Sequence, residues 1–260
     1  MRTNTVKRLL KEGKPAIGTW LNFPCVNSAE AMAYAGWDWV TVDMEHGPID
    51  FEMLNNMFMA IGSANVIPLC RIPDNDPVYI KRILDAGAMG IVVPMVNSAE
   101  EAAAAVRYAK YPPLGIRSAG GGRWRFGHAG GNQPDYMQHA DDEIAVIVQI
   151  EHIDAVHRVE EILSVPGVDA CFIGPNDLAW SMGLGKGAGE KDPSHAEAVA
   201  EVLRGAKKVG TPAGIHCRSV DEVSMRIEQG FQFCACMNDL GFMLNSASAG
   251  VKQIRERMAK

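Results

Sequence analysis

Glu151 and Asp177 each stand just past an apolar run, where a carboxylate is costly unless a cation meets it. Glu151 closes Ile144-Ala145-Val146-Ile147-Val148-Gln149-Ile150, and Asp177 follows Ala170-Cys171-Phe172-Ile173-Gly174-Pro175-Asn176. Burying an unpaired carboxylate costs roughly several kcal/mol. Two further runs end in the same manner, Val40-Thr41-Val42-Asp43-Met44-Glu45-His46 and Val66-Ile67-Pro68-Leu69-Cys70-Arg71. Four run ends thus bring acids, a histidine and an arginine, the makings of a metal-assisted active site. Paired carboxylates suit acid–base work on glycosides or a hard divalent cation. With two carboxylates and no neighbouring cysteine or paired histidine, Mg²⁺ or Mn²⁺ fits better than structural zinc. The plainer alternatives are that Glu151 pairs with a loop arginine and that Asp177 N-caps the next helix.

The residues around them extend this chemistry. Gly174-Pro175-Asn176-Asp177 is a turn into a helix, whose N–H groups can receive a substrate carboxylate. Arg71 suits an enolate or carboxylate oxygen, or else a salt bridge to Asp43 or Glu45. His46 is the candidate proton carrier, since imidazole titrates near neutral pH. Asp85, on the third predicted helix, is the candidate to orient it. His216 ends another run and is expected at the same rim, and His152 is either a neighbour of the site or solvent-exposed. No lysine falls in a predicted strand, which disfavours a Schiff-base aldolase, and no Gly-x-Ser-x-Gly elbow is present.

Short apolar runs alternate with amphipathic segments throughout. Strands are predicted near 17–23, 39–45, 66–71, 90–95, 144–150, 170–174, 212–217 and 232–236. Helices are predicted near 27–36, 50–62, 76–86, 98–110, 154–165, 195–209, 219–229 and 240–258. Asn27-Ser28, Asn97-Ser98 and Ser219 are expected N-caps, and Gly36, Gly87, Gly210 and Gly230 expected helix stops. Eight strands, each followed by a helix, predict an α/β fold of the (β/α)₈ TIM-barrel type over residues 1–260; an open doubly wound sheet is the alternative. The glycine-rich run 183–189 lacks the context of a nucleotide-binding loop. The longest interruption, 112–140, carries Arg117, Arg123, Arg125 and Trp124 and is expected to be a functional loop. A net charge of −6 gives nucleic-acid binding no global support. No secretory h-region or membrane-spanning run is visible, and the six cysteines form no Cys-x-x-Cys pair. A cytoplasmic enzyme is expected.

Several motifs resemble the HpcH/HpaI aldolase family. They are Val42-Asp43-Met44-Glu45-His46-Gly47-Pro48, Arg71-Ile72-Pro73, Leu84-Asp85-Ala86-Gly87-Ala88, Val93-Pro94-Met95-Val96, Gln149-Ile150-Glu151 and Phe172-Ile173-Gly174-Pro175-Asn176-Asp177-Leu178. The resemblance runs in order over about residues 5–240. It implies a phosphoenolpyruvate/pyruvate-type barrel, commonly hexameric, whose last helix (240–258) packs against a neighbouring subunit. It implies reversible cleavage of 4-hydroxy-2-oxo acids to pyruvate and an aldehyde through a metal-stabilised pyruvate enolate. By resemblance Glu151 and Asp177 hold Mg²⁺, Mn²⁺ or Co²⁺, Arg71 steadies the enolate, and His46 with Asp85 handles the proton. Gln149 and Gly174, Pro175 and Asn176 contact substrate, with Asp43 and Glu45 behind them. Oxaloacetate decarboxylation at the same site is the alternative activity, and a keto-acid sensor without turnover the non-enzymatic one. Ile116-Arg117-Ser118-Ala119-Gly120 and Gly214-Ile215-His216-Cys217 depart from the family pattern. Trp20, Arg117, Arg123 and His216 are therefore the expected acceptor-pocket residues, with the loop arginines either selecting acidic aldehydes or binding a neighbouring subunit.

Overall fold

Alternation along each strand decides both the core and the site. The computed structural model describes residues 1–128, 130–185 and 192–259, so the end of the glycine-rich run lies outside the described residues. Eight parallel strands close a barrel in sequence order: β1 Ala16–Leu21, β2 Trp39–Asp43, β3 Ile67–Arg71, β4 Gly90–Val93, β5 Ala145–Ile150, β6 Ala170–Ile173, β7 Ala213–Cys217 and β8 Phe233–Asn238. Each is buried on both faces, which is why the sequence shows continuous apolar runs. Ala16, Trp39, Ile67, Leu69, Val92, Ala145, Ile147, Ala170, Phe172, Phe233 and Ala235 fill the barrel interior. The intervening residues, among them Val40, Val42, Cys70, Ile91, Val148, Ile173 and Ile215, face the helical layer.

Large and small residues interlock inside. Trp39 stacks on Phe233 with ring centroids 4.2 Å apart. A Cβ on Gly18 would lie 2.1 Å from the Trp39 ring, and one on Gly214 would lie 2.3 Å from the Phe233 carbonyl oxygen. Both glycines are there because the aromatic pair needs their space.

The helices are α1 Thr5–Lys11, α2 Val26–Ala33, α3 Phe51–Ile61, α4 Pro77–Ala86 and α5 Ala99–Ala109. They continue as α6 Trp124–Gly127, α7 Gln133–Glu143, α8 Ile153–His157, α9 Val159–Leu163 and α10 Pro175–Ser181. The last three are α11 Pro193–Val209, α12 Val220–Gln229 and α13 Asp239–Met258. Ser98 and Ser219 cap α5 and α12 by accepting from the N–H groups of Glu101 and Glu222. Gly87, Gly210 and Gly230 end α4, α11 and α12 in the left-handed conformation. Asn27-Ser28 is not a cap, because α2 begins one residue earlier behind Cys25. The 154–165 helix is broken at Arg158 into α8 and α9. Among the described residues no helix is long and apolar enough to cross a membrane.

Two segments at the base were not anticipated. α1 inserts Val6 and Leu10 into the interior core, closing the barrel's N-terminal end. The 112–140 segment is not a rim loop: it contains α6 and most of α7. Trp124 and Tyr136 stack at 3.8 Å, His128 bonds the Gly87 carbonyl, and Arg2 N–H bonds the His128 carbonyl. Since Gly87 ends α4 just before β4 begins, the segment packs at the base, opposite the strand ends that carry the candidate residues.

Candidate active site

The inward stripe of each strand continues past the core into a pocket at the C-terminal rim. Trp20, Asp43, Arg71, Gln149, Phe172 and His216 line it from five strands and β1, with Asn22, His46, Asn238 and Gly174–Asp177 at the strand ends. The cavity measures about 160 Å³.

Arg71 organises one wall. Its Nε and Nη2 donate to Asp43 Oδ1 and Oδ2 at 2.9 and 2.7 Å, and Nη1 lies 3.0 Å from Glu45 Oε2. The guanidinium carbon sits 4.5 Å from the Trp20 ring centroid. The salt-bridge alternative for Arg71 is therefore realised, with both acids. Burial opposes the arginine's charge, but Asp43, Glu45 and Glu151 outweigh it and hold its proton more firmly than usual. Asp43, wholly buried, also accepts from Asn22 Nδ2 at 2.7 Å and from the Glu45 and His46 N–H groups. This paired, bidentate arrangement satisfies a carboxylate that would otherwise be prohibitive to bury.

Glu151 is different. It is 2 % exposed, and its oxygens take the Met95 N–H at 2.8 Å and the Gln149 side-chain amide. It does not pair with a loop arginine. Burial pushes its carboxyl up to about 7, with Glu45 and Asp177 adding to the push and the two hydrogen bonds opposing it. Glu45 is raised too, first by burial and then by Asp43 and Asp177, against Arg71 and His46. Asp177, in the first turn of α10, lines the pocket and does not cap the helix, whose N-cap is Gly174. Three acids thus act on one another across a small space that is short of positive charge, and Gln149 Oε1 is buried there without a partner. That donor set fits a hard divalent cation held by Glu151 and Asp177. Among the described residues no three His, Cys, Asp or Glu side chains cluster as ligands.

His46 stands at the mouth, 61 % exposed, with Nε2 3.9 Å from Glu45 Oε1. Asp85 does not reach it within this chain: it sits in the last turn of α4, at the base, and its Oδ1 accepts from Arg117 Nη2 at 2.8 Å. Arg117 is 2 % exposed, bonded also to Tyr136 and laid over Tyr111, so within this chain it is a buried strut away from the rim pocket. Arg123 is likewise displaced to the base. Its guanidinium nitrogens would lie 2.6 and 2.8 Å from a Cβ on Gly62 and Gly87, at the ends of α3 and α4. A position beside two helix C-termini suits a cation.

Trp20 and His216 do line the pocket, edge to face with centroids 6.2 Å apart. Burial, followed by Arg71 and Arg218, lowers His216 to about 4, leaving a neutral imidazole. Asn22, Phe172, Asn238 and the Met95 N–H are the site groups that motif reading missed. Period-two counting from Trp20 and Gly174 would have found Asn22 and Phe172. Asp239 fixes the first of these strand ends by accepting from the N–H groups of Asn22 and Phe23.

Comparison with known proteins bears on this geometry. Residues 16–246 match the family model described as HpcH/HpaI aldolase/citrate lyase. A 2-dehydro-3,6-dideoxy-6-sulfogluconate aldolase of Pseudomonas putida is 38% identical over 259 residues, covering 96% of this chain and 97% of that one. A hydroxypyruvate/pyruvate aldolase of Paraburkholderia phytofirmans is 38% identical over 263 residues, covering 97% and 98%. The crystal structure of an HpcH/HpaI aldolase/citrate lyase family protein from Burkholderia cenocepacia superposes with a TM-score of 0.91 at 34% identity, covering 97% and 100%. With the barrel, the rim pocket and its acids agreeing, the chain belongs to the HpcH/HpaI aldolase/citrate lyase family and is one of its class II pyruvate-type aldolases, a carbon–carbon lyase.

Proposed function

We propose that this protein reversibly cleaves 4-hydroxy-2-oxo acids to pyruvate and an aldehyde, with a divalent cation (Mg²⁺, Mn²⁺ or Co²⁺) held by Glu151 and Asp177. The observation that carries the reading is Glu151: buried, shifted to about 7, and bonded only to neutral donors beside two further acids. When bound, the cation supplies Lewis-acid polarisation of the substrate's 2-oxo group. The chain's own groups do the rest. Gln149, braced against Glu151, and the Gly174–Asn176 turn border the pyruvate half. Arg71 has N–H groups beyond those given to Asp43 and Glu45, and they face the oxygen on which negative charge develops as the carbon–carbon bond breaks. His46, at the mouth beside Glu45, exchanges the proton of the C4 hydroxyl with solvent. Oxaloacetate decarboxylation leads to the same pyruvate enolate without that proton and is expected at the same pocket.

The same reading makes the protein a cytoplasmic homo-oligomer, a hexamer by family resemblance, assembled through α13. Leu240, Leu244, Val251, Ile254 and Met258 recur on one stripe of that helix and are all exposed in the single chain.

The test is turnover of a 4-hydroxy-2-oxo acid after chelation and after returning Mg²⁺, Mn²⁺ or Co²⁺. Glu151→Gln and Asp177→Asn are expected to lose about 10³-fold or more, the scale of several kcal/mol of charge stabilisation, with circular dichroism unchanged. Full activity in chelated enzyme would overturn the reading.

A further inference from the structure

Apart from Gln149 Oε1, the neutral polar groups left without partners in the pocket cluster where β7, β8 and β1 meet. Trp20, 4 % exposed, carries a buried indole N–H that meets no acceptor. Asn22 gives its amide N–H to Asp43, which leaves its buried Oδ1 without a donor. His216 lies against Trp20 as an uncharged imidazole, with one donating and one accepting nitrogen. Asn238 spends its Oδ1 on the Gly241 N–H, so its amide N–H is what remains to face the pocket. Arg71 binds two carboxylates and turns its remaining N–H groups to the pyruvate half, Arg218 bonds Asn176 at the rim, and Arg117 lies at the base.

We infer that the acceptor half of this pocket takes a short, uncharged hydroxyaldehyde, gripped through its hydroxyl by Trp20, Asn22 and His216. The inference rests on the aldolase reading above and adds the class of aldehyde. A hydroxyl both donates and accepts, so it satisfies an indole N–H and an amide oxygen together. A methyl group in its place would leave both stranded, and a buried polar atom without a partner is costly. A carboxylate tail can accept but not donate, so it would leave Asn22 Oδ1 unmet and bring a third negative charge towards Asp43 and Glu45. Size agrees: a cavity of about 160 Å³ has room for pyruvate and a two- or three-carbon partner. Phe172, 5.4 Å from Trp20, gives the carbon side of such a molecule an aromatic floor.

The experiment measures kcat/KM for condensation of pyruvate with glycolaldehyde, propanal and succinic semialdehyde, using wild-type enzyme loaded with Mg²⁺. Glycolaldehyde and propanal differ by hydroxyl against methyl, and succinic semialdehyde carries the acid. Glycolaldehyde should exceed each of the others by at least about 10-fold, because a site that hydrogen-bonds a hydroxyl discriminates strongly against its absence. Trp20→Phe and His216→Leu should each reduce the glycolaldehyde-to-propanal ratio by about 10-fold. Oxaloacetate decarboxylation by the wild type, which needs no acceptor, is measured alongside. Decarboxylation with equal use of propanal, or with a preference for succinic semialdehyde, would overturn this inference alone; decarboxylation with no condensation of any of the three aldehydes would overturn the aldolase reading and this inference with it. Loss of decarboxylation and condensation together would overturn the aldolase reading and take this one with it.

Discussion

His128 and His216 are both buried imidazoles whose proton affinity falls, to about 4 in each case. In His128 the first cause is burial, opposed by its bond to the Gly87 carbonyl and reinforced by Arg2 and Arg123. The unfolded chain takes up a proton below about pH 6.5 that folded His128 refuses until about pH 4. Stability is therefore whole above that window and lost as pH falls through it, by about 2 kcal/mol between pH 7 and 5 for one such group. Guanidinium midpoints at the two pH values should show the loss, and His128→Gln should flatten it; an unchanged slope would place the acid sensitivity elsewhere. Among single residues, the strand-end acids and Arg71 could be read from sequence, because a charge at the close of an apolar run demands a partner. Asp85 and Arg117 could not be placed so well. Each satisfies the other across 32 residues of chain, and no local pattern records such a pairing.

At the scale of elements, the β6–α10 junction carries the most consequence in the fewest atoms. Gly174 has an ordinary φ of −93°, so its backbone would accept any residue. Space forbids it: a Cβ there would lie 2.5 Å from Glu151 Oε2 and 3.0 Å from Gln149 Nε2. Gly174→Ala should therefore displace the Glu151 carboxylate and lower turnover by about 10²-fold, the cost expected of an ångström's misplacement. Its thermal midpoint should stay near that of the wild type, and wild-type turnover would show that the carboxylate is free to move aside. All eight strands were readable as apolar runs, since both faces of each are buried. The 112–140 segment misled because its arginines and glycines look like a surface loop. In fact Arg117 and Trp124 are buried, and an aromatic stack with a guanidinium over it has no periodicity to betray it.

For the molecule as a whole, α13 stands out: of its 20 residues only Asp239 is buried, while an apolar stripe runs along it. Leu244→Asp with Val251→Asp should lower the mass in light scattering towards that of one chain without unfolding the barrel; an unchanged mass would exclude the helix as the contact. The barrel itself divides its labour between two kinds of atom. Glu151 is steered by the N–H of Met95, a residue held at φ 53°, and Asp43 takes part of its bonding from the N–H groups of Glu45 and His46. The surfaces assigned to the aldehyde are side chains: an indole, an amide and an imidazole. Most single-base changes can swap a side chain, but almost none can delete a peptide N–H. Descendants of this gene can therefore trade one aldehyde for another in single steps while the backbone N–H groups that aim Glu151 and Asp43 stay in place, which makes the pocket an evolvable one.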